Sequence, residues 1–140
     1  MNTDYIADRE ALKEQIKAIL KKAKRSIIAA KGLIENKDYD FASSRIYYAI
    51  FYGMEAVLLT RNISSSKHAG VISQFNQLYI KEDIFPKSFS KIISRLFRER
   101  QEGDYGFYFD ISEEEILIDV ESAEFFLNTI SKYLKKEDYV

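Results

Sequence analysis

The sequence contains no cysteine and a single histidine, His68. The first absence removes disulfides, thiolate nucleophiles and cysteine metal sites, and it fits a reducing compartment. The second removes any zinc site built on several histidines. No metal and no cofactor is implied by what remains. One proline and five glycines are also few. With the two strongest helix breakers nearly absent, long uninterrupted helices are expected. No apolar run approaches the roughly eighteen residues of a membrane span. The opening Met1-Asn-Thr-Asp-Tyr5 lacks the basic-then-apolar order of a signal peptide. A cytoplasmic protein with no membrane contact is therefore expected. A glycine-rich phosphate loop, a nucleophile elbow and a metalloprotease helix are missing as well.

What is present suits a single helical domain over residues 1–140, with 46% hydrophobic and 31% charged residues. The net charge is −1, so no global field draws in nucleic acid. The charge is unevenly spread. Arg9 to Arg25 holds seven basic and two acidic residues, while Asp110 to Glu124 holds seven acidic and no basic ones. Both stretches read as solvated helix faces; alternatively, the basic one meets an acidic partner or a phosphate backbone.

Apolar residues recur at helical spacing in each segment. From Asp8 to Asn36 they are Leu12, Ile16, Ile19, Ala23, Ile27, Ala30 and Ile34. A polar turn follows, with Asp40 as a plausible N-cap. From Phe41 to Arg61, Ala42, Ile46, Ala49, Ile50, Gly53 and Val57 form one stripe, and Tyr47, Phe51 and Leu58 a second. A helix apolar around most of its circumference is central in a bundle, meets a second subunit, or both. A short helix is expected over His68–Tyr79. Another starts near Pro86, which suits a first turn, and ends at Gly103. Asp104 to Ile111 reads as an aromatic loop, and Ser112-Glu-Glu-Glu115 as a capping box that opens the last helix. The predicted fold is all-α: an up-down antiparallel bundle of four long helices plus one short one.

Arg100 stands out first. It lies four residues after Leu96 and three after Phe97, on the apolar line of its helix, where a guanidinium needs a counter-charge or a bound anion. One reading is a helix-end arginine paired with Asp104. The other is a planar fork aimed at a phosphate. Arg45 in the central helix repeats the argument more weakly. Asp104 and Tyr105 could orient a substrate hydroxyl, or simply cap and cover the bundle. His68 is the one side chain that ordinarily titrates near neutrality, and a lone histidine at a helix start is commonly a surface or capping residue. Ser64 to Lys67 before it could bind an anion at the helix N-terminus.

In order, a long amphipathic helix, Asp40-Phe-Ala-Ser-Ser-Arg-Ile-Tyr-Tyr-Ala49, Ser66-Lys-His-Ala-Gly-Val71 with Phe75, Arg100-Gln-Glu-Gly-Asp-Tyr105 and a final helix run through the chain. That pattern resembles the HEPN superfamily (higher eukaryotes and prokaryotes nucleotide-binding), in its small prokaryotic stand-alone branch, over nearly the whole chain. The resemblance implies a helical homodimer with an intersubunit cleft lined by the arginine of each subunit. It implies a metal-independent endoribonuclease acting as a toxin, with a minimal nucleotidyltransferase as antitoxin that in some pairs adenylylates a tyrosine. By position Arg100 matches the family arginine and Tyr105 the tyrosine; Arg100, Arg45 and Lys67 are the candidate phosphate- or RNA-binding residues. The chain departs from the pattern at one point. Active relatives carry a histidine four to six residues after the arginine, where this sequence has Asp104 and Tyr105. Proton transfer then falls to His68, Asp104 or Tyr105.

Three readings follow: a ribonuclease toxin, a non-catalytic helical module that complexes a nucleotidyltransferase and binds nucleotide or RNA, and a structural oligomerisation bundle.

Overall fold

The computed structural model describes residues 3–106 and 110–140, with side chains from Asp8 onward. Five α-helices carry most of that length: α1 (Thr3–Glu35), α2 (Tyr39–Leu59), α3 (His68–Phe75), α4 (Ser88–Tyr105) and α5 (Glu113–Lys136). A π-helical turn, Asn76–Ile80, extends α3. No strand occurs among the described residues, and the all-α bundle of four long helices and one short one is as the sequence predicts. The expected aromatic loop at Phe107, Tyr108 and Phe109 lies outside the described residues. No described helix is long and apolar enough to cross a membrane.

Cross-helix contacts give the directions. Ser26 meets Arg45 and Lys22 meets Tyr52, so α1 and α2 are antiparallel. Arg100 meets Tyr48 while Gly103 lies against Asp40, so α2 and α4 are antiparallel. Phe89 stacks on Phe126 and Arg95 pairs with Asp119, which sets α5 against α4. Helix α2 packs against all four other helices and buries twelve of its twenty-one residues. Its two apolar stripes are the reason. Ile46, Ile50, Met54 and Val57 are fully enclosed, and each such side chain contributes about 1.5–3 kcal/mol. Gly53 makes room for α5: a Cβ there would stand 2.8 Å from the Leu127 side chain.

Four helical segments close without glycine. Lys37, Asn62, Asp83 and Asp138 adopt positive φ between 57° and 64°. Behind each, the next residue's N–H reaches back five positions: Asp38 to Leu33, Ile63 to Leu58, Ile84 to Tyr79 and Tyr139 to Leu134. These are Schellman closures, which satisfy orphan carbonyls at a helix end. The scarcity of glycine therefore leaves the ends intact but strains Lys37 in particular, since a long side chain disfavours that region.

Three local expectations change. Asp40 is not the N-cap of α2: Asp38 holds that position with no side-chain bond, and the Asp40 carboxylate accepts instead from its neighbour's N–H at Phe41, 2.9 Å away. The short α-helix stops at Phe75 and gives way to the π-helical turn. Gly103 does not end α4, which runs on through Asp104 and Tyr105 to Gly106. A Cβ at Gly103 would stand 2.9 Å from the Asp40 carbonyl oxygen, so glycine is there because the backbones of α2 and α4 nearly touch. At the start of α5 one half of the capping box forms, with the Glu115 N–H donating to Ser112 Oγ at 3.1 Å.

Candidate functional site

Arg100 points from the C-terminal part of α4 toward α2 and the first residue of α3. A terminal guanidinium nitrogen donates to the Tyr48 hydroxyl at 3.0 Å. Its Nε lies 2.9 Å from Asp104 Oδ2 in an ion pair, although the N–H is not aligned as a hydrogen bond. The guanidinium carbon sits 5.4, 5.7 and 5.9 Å from the ring centres of Tyr48, Tyr47 and Tyr105. The side chain is 16% exposed, so it is largely enclosed by these rings yet open at one edge. Arg45, one turn before Tyr48 on α2, lies 4.9 Å from the Tyr48 ring centre. Two guanidinium groups thus share one phenol, and Asp104, paired with Arg100, is the carboxylate that ion-pairs with either among the described residues. Guanidinium N–H groups remain unused by the described residues, a layout that suits a phosphate oxygen.

His68 completes the cluster from α3. Its ring stacks on Phe51 at 4.2 Å and 18°, meets Tyr48 edge-on at 5.5 Å, and places Nδ1 2.9 Å from the Tyr47 hydroxyl. Burial, and then the Arg100 charge, lower the His68 pKa, which favours neutral imidazole. Burial drives the Tyr47 phenol strongly upward, keeping it protonated.

Most sequence candidates converge here. Arg100, Asp104, Arg45 and His68 are brought together; Tyr105 lies at the rim, 75% exposed. Lys67 is the exception. It is exposed, serves as the N-cap position of α3, and its ammonium forms no hydrogen bond or ion pair with the cluster among the described residues. Phe51, on the second apolar stripe of α2, is buried and covered by His68 within the chain. On the outer side of α2, Tyr48 and Tyr52 are half-buried and Phe41 is 60% exposed, close to the Tyr105 end of α4.

The sequence reading missed a second charged cluster about one turn back on α4. Arg95 Nε lies 3.0 Å from Asp119 Oδ1 and 3.1 Å from Glu99 Oε1. Asp119 is 1% exposed and Glu99 is also buried. Burial, and then the hydrogen bond and charge of Glu99, push the Asp119 carboxyl up to about 8. Asp119 Oδ2 and Glu99 Oε2 lack other partners, so one proton shared between the acids satisfies them. A signal was available: Asp119 lies three residues after Ile116, and Glu99 three after Leu96, both on core-facing lines.

The HEPN domain pattern matches residues 16–135. Two proteins of Methanocaldococcus jannaschii named as candidate toxins are similar. One is 38% identical over 89% of this chain and 92% of its own length, the other 35% identical over 87% and 83%. A UPF0332 protein of Thermotoga maritima is 36% identical over 82% of this chain and 87% of its own. An all-helical bundle carrying that pattern over most of its length, with such relatives, leaves one assignment: the chain belongs to the HEPN-domain family.

Proposed function

We propose that this protein is a HEPN-type toxin of a toxin–antitoxin pair, acting on RNA as a metal-independent endoribonuclease and as a homodimer. The observation that carries the reading is the pair of guanidinium groups, Arg100 and Arg45, gathered on the Tyr48 ring with one carboxylate to offset them. Such a site binds a phosphodiester by charge-assisted hydrogen bonds, with Asp104 ion-paired to Arg100 beside it. His68 is the proton-transfer group nearest to hand, supplied by α3 in place of a histidine after the arginine. The candidate-toxin names of two relatives point the same way.

The dimer would form on the outer face of α2 and the end of α4, where Phe41, Tyr48, Tyr52 and Tyr105 leave aromatic surface beside Arg45 and Arg100. That arrangement would bring two such sites to one cleft. The antitoxin partner in this reading is a minimal nucleotidyltransferase. Tyr105, an exposed phenol beside Arg100, is the residue such an enzyme would reach and adenylylate.

Asp104 and Tyr105, standing where active relatives have histidine, favour a second reading: a non-catalytic module that binds nucleotide or RNA in complex with the same partner. Cleavage of single-stranded RNA by the purified protein in excess EDTA separates the two. The toxin reading requires cleavage that Arg100→Ala removes. RNA binding without cleavage supports the second, and equal cleavage by both proteins contradicts the site.

A further inference from the structure

The Tyr47 hydroxyl is buried, and it stays protonated because burial disfavours the phenolate. Its one hydrogen-bond partner among the described residues is His68 Nδ1. A buried O–H that has a single acceptor donates to it. Nδ1 therefore offers its lone pair, and the ring hydrogen of the neutral imidazole sits on Nε2. Nε2 has no protein partner among the described residues and is not a sealed atom. The Phe51 stack and the Tyr48 edge hold the ring in that orientation.

The charges around His68 come from three elements. Helix α2 supplies the neutral phenols Tyr47 and Tyr48, the Arg45 guanidinium beyond Tyr48, and Glu55 acting on Tyr47. Helix α4 supplies Arg100 with Asp104 at its side. Lys67 precedes the ring on its own segment. Arg100 is the one whose charge bears on His68, and it shares both tyrosine rings with the imidazole. An anion on Arg100 would offset that charge.

We propose that His68 is the proton-donating group of this site, oriented by Tyr47 with its hydrogen on Nε2, and that a phosphodiester bound at Arg100 charges it to the imidazolium. This rests on the reading of Arg100 as a phosphate-binding residue. On charging, a proton from solvent enters at Nδ1, which then donates to the Tyr47 oxygen, and the Tyr47 hydrogen turns away. In RNA cleavage the Nε2 proton passes to O5′ as the P–O5′ bond breaks and the 2′-oxygen bonds to phosphorus. The 2′-hydroxyl proton leaves to solvent. His68 is an acid here and not the base toward the 2′-hydroxyl, because the nitrogen that carries the lone pair, Nδ1, faces Tyr47. Tyr47 is a positioning residue.

The single histidine makes the test clean: one set of imidazole 15N signals reports both tautomer and charge. In the unliganded protein the signals should show the Nε2–H tautomer and a midpoint below the ordinary histidine value of about 6.5. Arg100→Gln should raise that midpoint, and so should saturation with a 2′-O-methyl oligouridylate, which lacks the attacking hydroxyl. Tyr47→Phe should mix the two tautomers while leaving the helical CD spectrum unchanged. An Nδ1–H tautomer in the unliganded protein overturns the proposal, as does a midpoint that neither Arg100→Gln nor the oligonucleotide moves. If the oligonucleotide shifts His68 but natural RNA is never cut, the ribonuclease reading and the donor step fall together. The charging of His68 by bound phosphodiester then stands.

Discussion

Arg95 and Arg100 lie little more than one turn apart on α4, and they meet opposite surroundings. Arg95 faces two buried acids, Glu99 and Asp119. Acid is in excess there, the arginine is the exposed member at 41%, and a shared proton closes the balance. Arg100 faces phenols, with one partly exposed carboxylate and a second arginine close by. Cation is in excess there, and the arginine is the more enclosed member. Buried ion pairs offset most of their own desolvation and rarely leave a donor free. Arg100, held by one neutral hydroxyl and one partly exposed carboxylate, keeps some of its N–H groups available. The first cluster ties α4 to α5; the second is poised for an anion that the chain does not itself provide.

The largest effect that could break this contrast is on catalysis. Under the toxin reading Arg100→Ala should cut RNA cleavage on the order of 100- to 1,000-fold, as the loss of one charge-stabilising donor does. Its thermal midpoint should change little, which differential scanning fluorimetry would show. Arg95→Ala should do the reverse. It leaves Glu99 and Asp119 without their cation and should lower stability by about 1–3 kcal/mol in urea titration, with the cleavage of the folded fraction retained. Loss of cleavage in both variants with equal stability would erase the distinction.

Next is Gly103→Ala. Alanine favours a helix, but its methyl would meet the Asp40 carbonyl oxygen. The expected net cost is about 1–3 kcal/mol from overpacking, measured by urea titration, together with weaker oligonucleotide binding as Asp104 shifts.

The pH dependence of stability should separate the clusters too. Folding raises the Asp119 carboxyl from 3.8 to about 8, so the folded state binds the proton more tightly than the unfolded chain. That contribution is complete below the unfolded value. It shrinks as pH climbs above it, and is gone once pH passes about 8. The difference in thermal midpoint between the parent and Asp119→Asn should therefore change steadily across that window, in the direction that favours the parent at low pH. A difference constant with pH would mean that Asp119 is charged in the folded protein throughout. The smallest effect expected is at Lys37: Lys37→Gly should gain about 0.5–1 kcal/mol by relieving its positive φ.

Much of this was legible in the sequence because it depends on periodicity. The core lines of α1, α2 and α5 are those that the apolar spacing picks out, from Ile16 to Ile34, Ala42 to Val57, and Ile116 to Leu134. Arg100 was visible as a charge on such a line. Glu99 and Asp119 obey the same rule on two different helices, but their meaning depends on register between α4 and α5, which no single helix encodes. Gly103 misled because glycine both ends helices and lets backbones approach, and only the nearness of Asp40 decides which. The pairing of His68 with Tyr47 spans α2 and α3, twenty-one positions apart in sequence, and rests on where the Asn62 closure aims α3.

The most direct test of the contrast is the affinity of a fluorescent 2′-O-methyl oligouridylate at low salt for the parent protein, Arg100→Gln and Arg95→Gln, measured side by side by anisotropy. The account predicts binding that Arg100→Gln weakens at least about tenfold, the scale of one charge-assisted contact, and that Arg95→Gln leaves unchanged while lowering the thermal midpoint. Equal loss in both variants, or loss in Arg95→Gln alone, would contradict it.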